Sequence, residues 1–272
     1  MMVITGERIQ ECADIYLGAK EDFEYNPYIA TQHDKHVIID DLLNINSYDN
    51  PKTVFCYSSR MKQFSQIVRK FSNPFVLITH NGDTNIDNTH CVNLILNTPN
   101  MKRWYAQNVK LYHDKLIPIP IGIANRMWPH GNFSIMSSPK THGIYMCFNV
   151  STNYNKRMEC LKSLSEKVPI LQTVDPRNNN LRMSRYKYCI CPEGNGMDTH
   201  RLWEALYLRV VPILIRSTHT ELLSTQSKLP MILLDHWKDL DPGTLPEYES
   251  FDFEYGSSYL DMDFLRNRIQ RV

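Results

Sequence analysis

The chain lacks any apolar run approaching the roughly 18 residues of a membrane-spanning helix. Its opening MMVITGERIQECADIYL has no basic stretch followed by an apolar one, so no secretory leader is read there. A cytoplasmic setting and no membrane span are therefore expected. Its seven cysteines (12, 56, 91, 147, 160, 189 and 191) are odd in number and contain no Cys-x-x-Cys pair. Several lie in apolar, strand-like runs, which points to buried free thiols rather than disulfides or zinc ligands. A formal net charge of +1 supplies no field that would gather nucleic acid or an anionic membrane, and neither is expected as a partner. No Gly-x-Gly-x-x-Gly follows an early strand, which argues against a dinucleotide-dependent dehydrogenase. Internal repeats and low-complexity tracts are also missing.

What remains is 272 residues of ordinary globular composition, 42% hydrophobic and 22% charged, enough for two modest domains. In the first half, HVIIDD (36–41), TVFCYS (53–58) and PFVLITH (74–80) read as strands. Met61, Phe64, Ile67, Val68 and Phe71 follow helical spacing. Residues 90–97 suit a helix or a short strand, 101–109 a helix, and the proline-bearing 116–123 an edge strand or extended loop. The Pro-, Gly- and Ser-rich stretch 127–143 breaks the pattern and sets an expected boundary. Strands follow at 144–150, 168–174 and 229–235, with a helix at 155–167 and a short helix near 181–186. The end of the chain carries Leu260, Met262, Phe264, Leu265 and Ile269 at helical spacing. The expected organisation is an α/β domain over 1–141, a second over 142–252 and a terminal amphipathic helix within 253–272. Mainly parallel sheets follow from the alternation, with polar loops gathered at a cleft between the carboxyl ends of the strands.

Residues 188–215 form the most informative unit: a strand (188–191), a glycine loop (192–197), a helix (199–209) and a second strand (210–215). Free N–H groups at the start of such a helix, with the positive end of its dipole, suit an anion. Asp198 or Thr199 can cap the helix. His200 and Arg201 stand in its first turn, where acidic residues would suit the dipole better. Cations there are explained by a negative ligand, and a nucleotide diphosphate fits. Arg201 and Glu204 lie three apart on one helical side. A surface ion pair would account for them, as would Arg201 on phosphate and Glu204 on the two hydroxyls of a ribose.

The ordered run Pro192, Glu193, Gly194, Gly196, His200, Arg201, Trp203, Glu204, Ala205, Leu206 and Pro212 resembles the C-terminal signature of the exostosin-like (family 47) glycosyltransferases. It is most similar to the short soluble versions of bacteria and large DNA viruses. One position departs from that pattern: Arg209 stands where the family usually has Gly before the Val-Pro strand. Weaker similarity covers residues 148–157, where Arg157 falls near the phosphates, and the segments FVLITHNGD and LIPIPIGIANRMW. The resemblance implies a GT-B fold, with two Rossmann-like domains, donor bound by the second, and a terminal helix returning to the first. It implies glycosyl transfer from a UDP-sugar to a hydroxyl of an oligosaccharide or glycoprotein acceptor. Inverting stereochemistry and no required cofactor or metal are expected. Within the viral version it implies xylose as the sugar, capsid glycans as the product and the host cytoplasm as the setting.

An inverting transfer needs a base and a means of stabilising the departing diphosphate. For the second task the candidates are Arg157, His200, Arg201 and the backbone of Asn195, Gly196 and Met197. Glu193, Asp198, Thr199 and Glu204 are the candidates for the donor ribose and sugar. For the base the candidate is Asp83, in the loop after the strand at 74–80. A turn carboxylate after Gly82 is the plain alternative. Asp40 and Asp41 are rivals, and His80 reads as a positioning or packing residue. A metal-dependent GT-A enzyme would need an Asp-x-Asp. Asp239/Asp241 lies in a proline-bounded loop and Asp261/Asp263 on the terminal helix, so both are poor candidates. A nucleotide-sugar-binding module without catalysis would use the glycine loop equally well.

Overall fold

The computed structural model describes residues 1–45, 47–48 and 51–271. The chain divides into two compact units, Met1–Ile121 joined by the C-terminal helix from Met262, and Gly122–Asp261. In the first unit the elements run α1 (Gly6–Gln10), β1 (Ile15–Gly18), α2 (Lys20–Glu24), β2 (His36–Ile38), β3 (Thr53–Tyr57), α3 (Met61–Ile67), β4 (Phe75–His80), α4 (His90–Leu96), β5 (Met101–Ala106) and β6 (Leu116–Pro118). They build a six-stranded sheet in the order β2-β1-β3-β4-β5-β6, with every pairing parallel. β3 and β4 are buried at every residue. This is why they read as unbroken apolar runs: a parallel sheet is covered on both faces.

The second unit runs β7 (His142–Tyr145), α5 (Tyr154–Leu164), α6 (Pro176–Met183), β8 (Tyr186–Ile190), α7 (His200–Tyr207), β9 (Val211–Ile215), α8 (Thr218–Ser227) and β10 (Ile232–Leu234). Its four strands are parallel in the order β10-β9-β8-β7. The α/β class and the two parallel sheets thus match the expected architecture. α9 (Met262–Gln270) closes the chain and buries Met262, Leu265 and Ile269 in the core of the first unit. Tyr105 Oη donates to the Arg268 carbonyl at 2.8 Å and secures it there. The helix is shorter than the segment 253–272, and Val272 lies outside the described residues. The preceding turn stays with the second unit, where the Leu260 carbonyl accepts from Tyr207 Oη at 2.7 Å.

Three expectations need correction. The boundary falls at Ile121/Gly122 and not at 141/142. Residues 122–141 have little regular structure, yet side chains fasten them to the second unit. Lys140 Nζ donates to the carbonyls of Ser184 and Leu208, each at 2.7 Å, and Phe133 packs on Tyr207. Within residues 101–109, Met101–Ala106 form a strand rather than a helix, although Met101, Trp104 and Tyr105 have helical spacing. Pairing on both sides with β4 and β6 overrides that local pattern, and Trp104 Nε1 donates to Thr79 Oγ1 at 2.8 Å within the sheet. Residues 168–174 form no strand. Pro169 removes a donor, and one backbone bond, Leu171 N to Met146 O at 2.9 Å, links the segment to the end of β7. Arg182 and the Cys147 thiol take the Gln172 carbonyl instead.

Arg209 follows α7 with φ of 54°, the left-handed conformation that glycine adopts at lower cost. Its side chain makes an exposed ion pair with Glu254, worth little. Arg209→Gly should therefore stabilise the fold by about 0.5–1 kcal/mol, read as a higher thermal midpoint. A lower midpoint would contradict this account of the helix end.

Candidate active site

The glycine loop leaves β8 through Cys191 and enters α7 at Thr199, which caps the helix with extended backbone but with no side-chain hydrogen bond. Thr199 is 9% exposed, and its Oγ1 is buried without a hydrogen-bond partner. A buried hydroxyl without a partner at a helix N-terminus marks a place where a ligand oxygen can complete the set. A Cβ added at Gly194 would stand 3.3 Å from Arg157 Nη2 and 3.5 Å from Thr199 Cγ2. Glycine therefore keeps open the space between the guanidinium and the helix start.

Arg157 comes from α5 and is aimed by two carbonyls. Its Nε donates to Glu193 O at 2.9 Å and its Nη1 to Asn149 O at 2.7 Å, while Nη2 makes no hydrogen bond. Asn153, which caps α5, fixes the loop from the other side by donating from Nδ2 to Gly194 O at 2.7 Å. Among the described residues no carboxylate pairs with Arg157. Its pKa is lowered, by burial first and by the nearby Arg201 guanidinium second. Two cations share this corner of the molecule, and one of them lacks an anion.

Arg201 is the compensated member. Its Nε donates to Glu204 Oε2 at 3.1 Å, its Nη1 to the Cys147 carbonyl, and its guanidinium lies 5.9 Å from the Tyr145 ring centre. Burial pulls its pKa down, but Glu204 and the neighbouring Cys and Tyr groups raise it by more, so it remains firmly charged. Glu204 keeps its Oε1 outside that pair. His200 donates from Nδ1 to Gly122 O at 2.7 Å, because a carbonyl can only accept. Its tautomer is thereby set, and Nε2 is the ring nitrogen left without a hydrogen bond.

Asp198 has a different place from the one expected. Its side chain is 0% exposed, with Oδ1 accepting from Trp203 Nε1 at 2.8 Å and Oδ2 standing 3.7 Å from His219 Nε2. It ties the loop to α7 through Trp203, and its wholly buried side chain lies against His219 of α8. Glu193 is half-buried, 4.0 Å from Lys156 Nζ, at the rim of a cavity of about 190 Å³. That cavity lies at the carboxyl ends of β8, β9 and β10 and is also lined by Met197, Ser217, Asp235 and Trp237. Asn195 is exposed at the loop tip, and Gly196 O accepts from Gly194 N at 3.0 Å.

In the first unit Asp83 is exposed in the loop after β4. Gly82 before it is required by contact, since a Cβ there would meet Ser58 Oγ at 2.4 Å. His80 is buried, with Nδ1 3.0 Å from Asn81 Oδ1 and Nε2 3.0 Å from Pro120 O, a geometry that positions the loop. Asp40 and Asp41 are exposed in a short 3-10 turn beyond β2 at the sheet edge. Asp239 accepts from His236 N, Asp241 from Gly243 N, and Asp263 pairs with Arg266. Three of the four Asp-x-Asp carboxylates thus serve local turns and one helix pair. Among the described residues no group of three or more His, Cys, Asp or Glu comes together in a way that could hold a metal. Nor is any helix among them long and apolar enough to cross a membrane.

Asn149, Asn153 and His130 escaped the sequence reading. The two asparagines lie within residues 148–157, the segment of weaker family similarity, where only Arg157 was singled out. His130 sits in the stretch 127–143 read as a linker, two residues beyond the segment LIPIPIGIANRMW noted as similar to the family.

No protein-family model matches the chain, and no curated protein does. Among solved structures it is similar to the spinosyn rhamnosyltransferase SpnG, at 12% identity and a TM-score of 0.37 over 81% of this chain and 69% of that one. It is also similar to UGT89C1 of Arabidopsis thaliana complexed with UDP-L-rhamnose, at 10% identity and a TM-score of 0.37 over 91% and 74%. A third likeness is to the calicheamicin glycosyltransferase CalG4, at 12% identity and a TM-score of 0.29 over 85% and 72%. These likenesses are distant. The architecture above rests on the strand orders of this chain.

Proposed function

We propose that the protein is a nucleotide-sugar-dependent glycosyltransferase of GT-B type. The observation that carries the reading is the Arg157 guanidinium, held by two carbonyls and lacking an anion, beside Gly194 and the unpaired Thr199 hydroxyl at the start of α7. A diphosphate supplies what this corner lacks: negative charge for Arg157, acceptor oxygens for the Thr199 hydroxyl, and a partner for the helix N-terminus. Two separate parallel sheets support the GT-B reading over GT-A. The resemblance of residues 192–212 to exostosin-like enzymes supports UDP as the nucleotide and a transferred sugar of the pentose class, xylose. The acceptor is a glycan hydroxyl.

In this reading Arg157, His200 and the backbone of the glycine loop stabilise the leaving diphosphate without metal, and Arg201 holds the Glu204 carboxylate toward the ribose. Glu193 contacts the transferred sugar from the rim of the cavity. Asp83 removes the acceptor proton. Asp83→Asn should leave UDP-sugar affinity within about twofold of wild type and lower turnover by about a thousandfold. Near-wild-type transfer by that variant would remove Asp83 from this role.

The experiment that tests the reading is a panel of UDP- and GDP-sugars, scored first for release of free sugar and then for transfer to simple glycosides. Slow release with transfer to one acceptor class is the expected result. Tight binding without release or transfer would mark a binding module instead. Transfer that vanishes with EDTA and returns with Mn²⁺ would contradict the metal-independent route.

A further inference from the structure

His130 has no part in the reading above, yet it stands against the same helix start. The turn that carries it is tightly built. Trp128 N donates to Asn125 O and Gly131 N to Trp128 O, each at 2.9 Å. A Cβ on Gly131 would come within 2.1 Å of Asn125 O, so the position requires glycine. This turn stacks the Trp128 indole on the His130 ring, with centroids 6.3 Å apart and planes 22° from parallel. The other side of His130 meets the His200 ring at 5.8 Å. His200 is itself fixed by Gly122 O, also from the segment that opens the unit. The His130 ring therefore touches His200 in the first turn of α7 and lies within electrostatic reach of Arg201, which in turn acts on Arg157.

We infer that His130 is a ligand of the donor diphosphate and binds it as imidazolium, so that donor binding takes up a proton. This rests on the nucleotide-sugar reading of the site. Among the described residues, the charged groups that act on His130 are His200, Arg201 and Glu204, all on α7. α6 also packs against the turn; it carries Arg177, which is exposed, and Arg182, which is committed to Tyr145 and the Gln172 carbonyl. In the empty site, burial and then His200 lower the His130 pKa, with Arg201 adding to them and Glu204 opposing. The ring is thus held neutral at neutral pH. A dianion placed among these cations reverses the balance and favours the protonated ring. A group that gains a proton on binding makes affinity rise as pH falls.

The test is calorimetric titration of the full chain with UDP-glucose and GDP-mannose, in buffers of different ionisation enthalpy. The diphosphate diesters have no proton to gain in this range, so any uptake belongs to the protein. Wild type should take up roughly half a proton per ligand near pH 7, and its affinity should rise about fivefold from pH 8 to pH 6. His130→Gln, with an unchanged thermal midpoint, should still bind, with both effects lost. His130→Ala with Trp128 intact checks that the glutamine introduces no substitute contact, and it should behave in the same way. Binding by wild type without proton uptake overturns this inference and leaves the nucleotide-sugar reading standing. Uptake that persists in His130→Gln overturns it as well. If neither ligand binds, the donor-site reading falls and this inference falls with it.

Discussion

Arg157→Ala should weaken UDP binding by about 3 kcal/mol, roughly a hundredfold in Kd, while uridine binding changes little. The contrast between the two ligands follows from the geometry. Nη2 of Arg157 makes no hydrogen bond and faces the space that Gly194 keeps open, whereas Nε and Nη1 are occupied by carbonyls. The charge lost is therefore the one available to phosphate. Arg157→Lys should recover only part of the loss, because the three donors of an ammonium share one nitrogen and cannot reproduce the spread of Nε, Nη1 and Nη2 toward Glu193 O, Asn149 O and phosphate. The measurement is isothermal calorimetry with UDP and uridine on each variant. Equal losses for the two ligands would mean that the loop had collapsed and that Arg157 is structural.

Asp198→Ala should destabilise the second unit by about 3 kcal/mol. The side chain is wholly buried and serves Trp203 Nε1 and the imidazole of His219 at once. Truncation leaves the indole N–H of Trp203 without its acceptor in a fully buried position. Asp198→Asn, which can keep an oxygen on Trp203, should cost less than half as much. Urea unfolding followed by Trp fluorescence reads both variants. An alanine variant as stable as wild type would mean that the loop does not depend on this anchor, and Asp198 would return as a candidate for contact with the sugar.

The two predictions separate what the sequence carries from what folding adds. Strands β3, β4, β8 and β9 were legible because burial on both faces demands continuous apolar residues. The helix α7 was legible from its glycine loop and polar start. β5 was misread because Met101, Trp104 and Tyr105 satisfy helical spacing, and only the neighbours β4 and β6 decide between the two periods. The segment 168–174 was misread for the converse reason. Its residues suit a strand, but Pro169 and the side-chain claims on the Gln172 carbonyl leave too little backbone to pair.

At the site, the sequence located the anion corner but could not rank its cations. Arg157 and Arg201 look alike in the sequence. In the fold one is answered by Glu204 and the other by carbonyls alone, and that difference is tertiary. Asp198 illustrates the same limit: a carboxylate next to a glycine loop reads as a ligand group until its side chain is found wholly buried against Trp203 and His219. His130 was invisible because its importance lies in a ring contact with a residue seventy positions away, within a stretch whose composition marks a linker.

The most direct test of the central claim is a crystal structure of the protein with UDP. The diphosphate should lie within hydrogen-bond distance of Arg157 Nη2 and Thr199 Oγ1, at the start of α7 beside Gly194. A diphosphate bound elsewhere on the second unit, with Thr199 Oγ1 still unpaired and Arg157 still without an anion, would contradict the account.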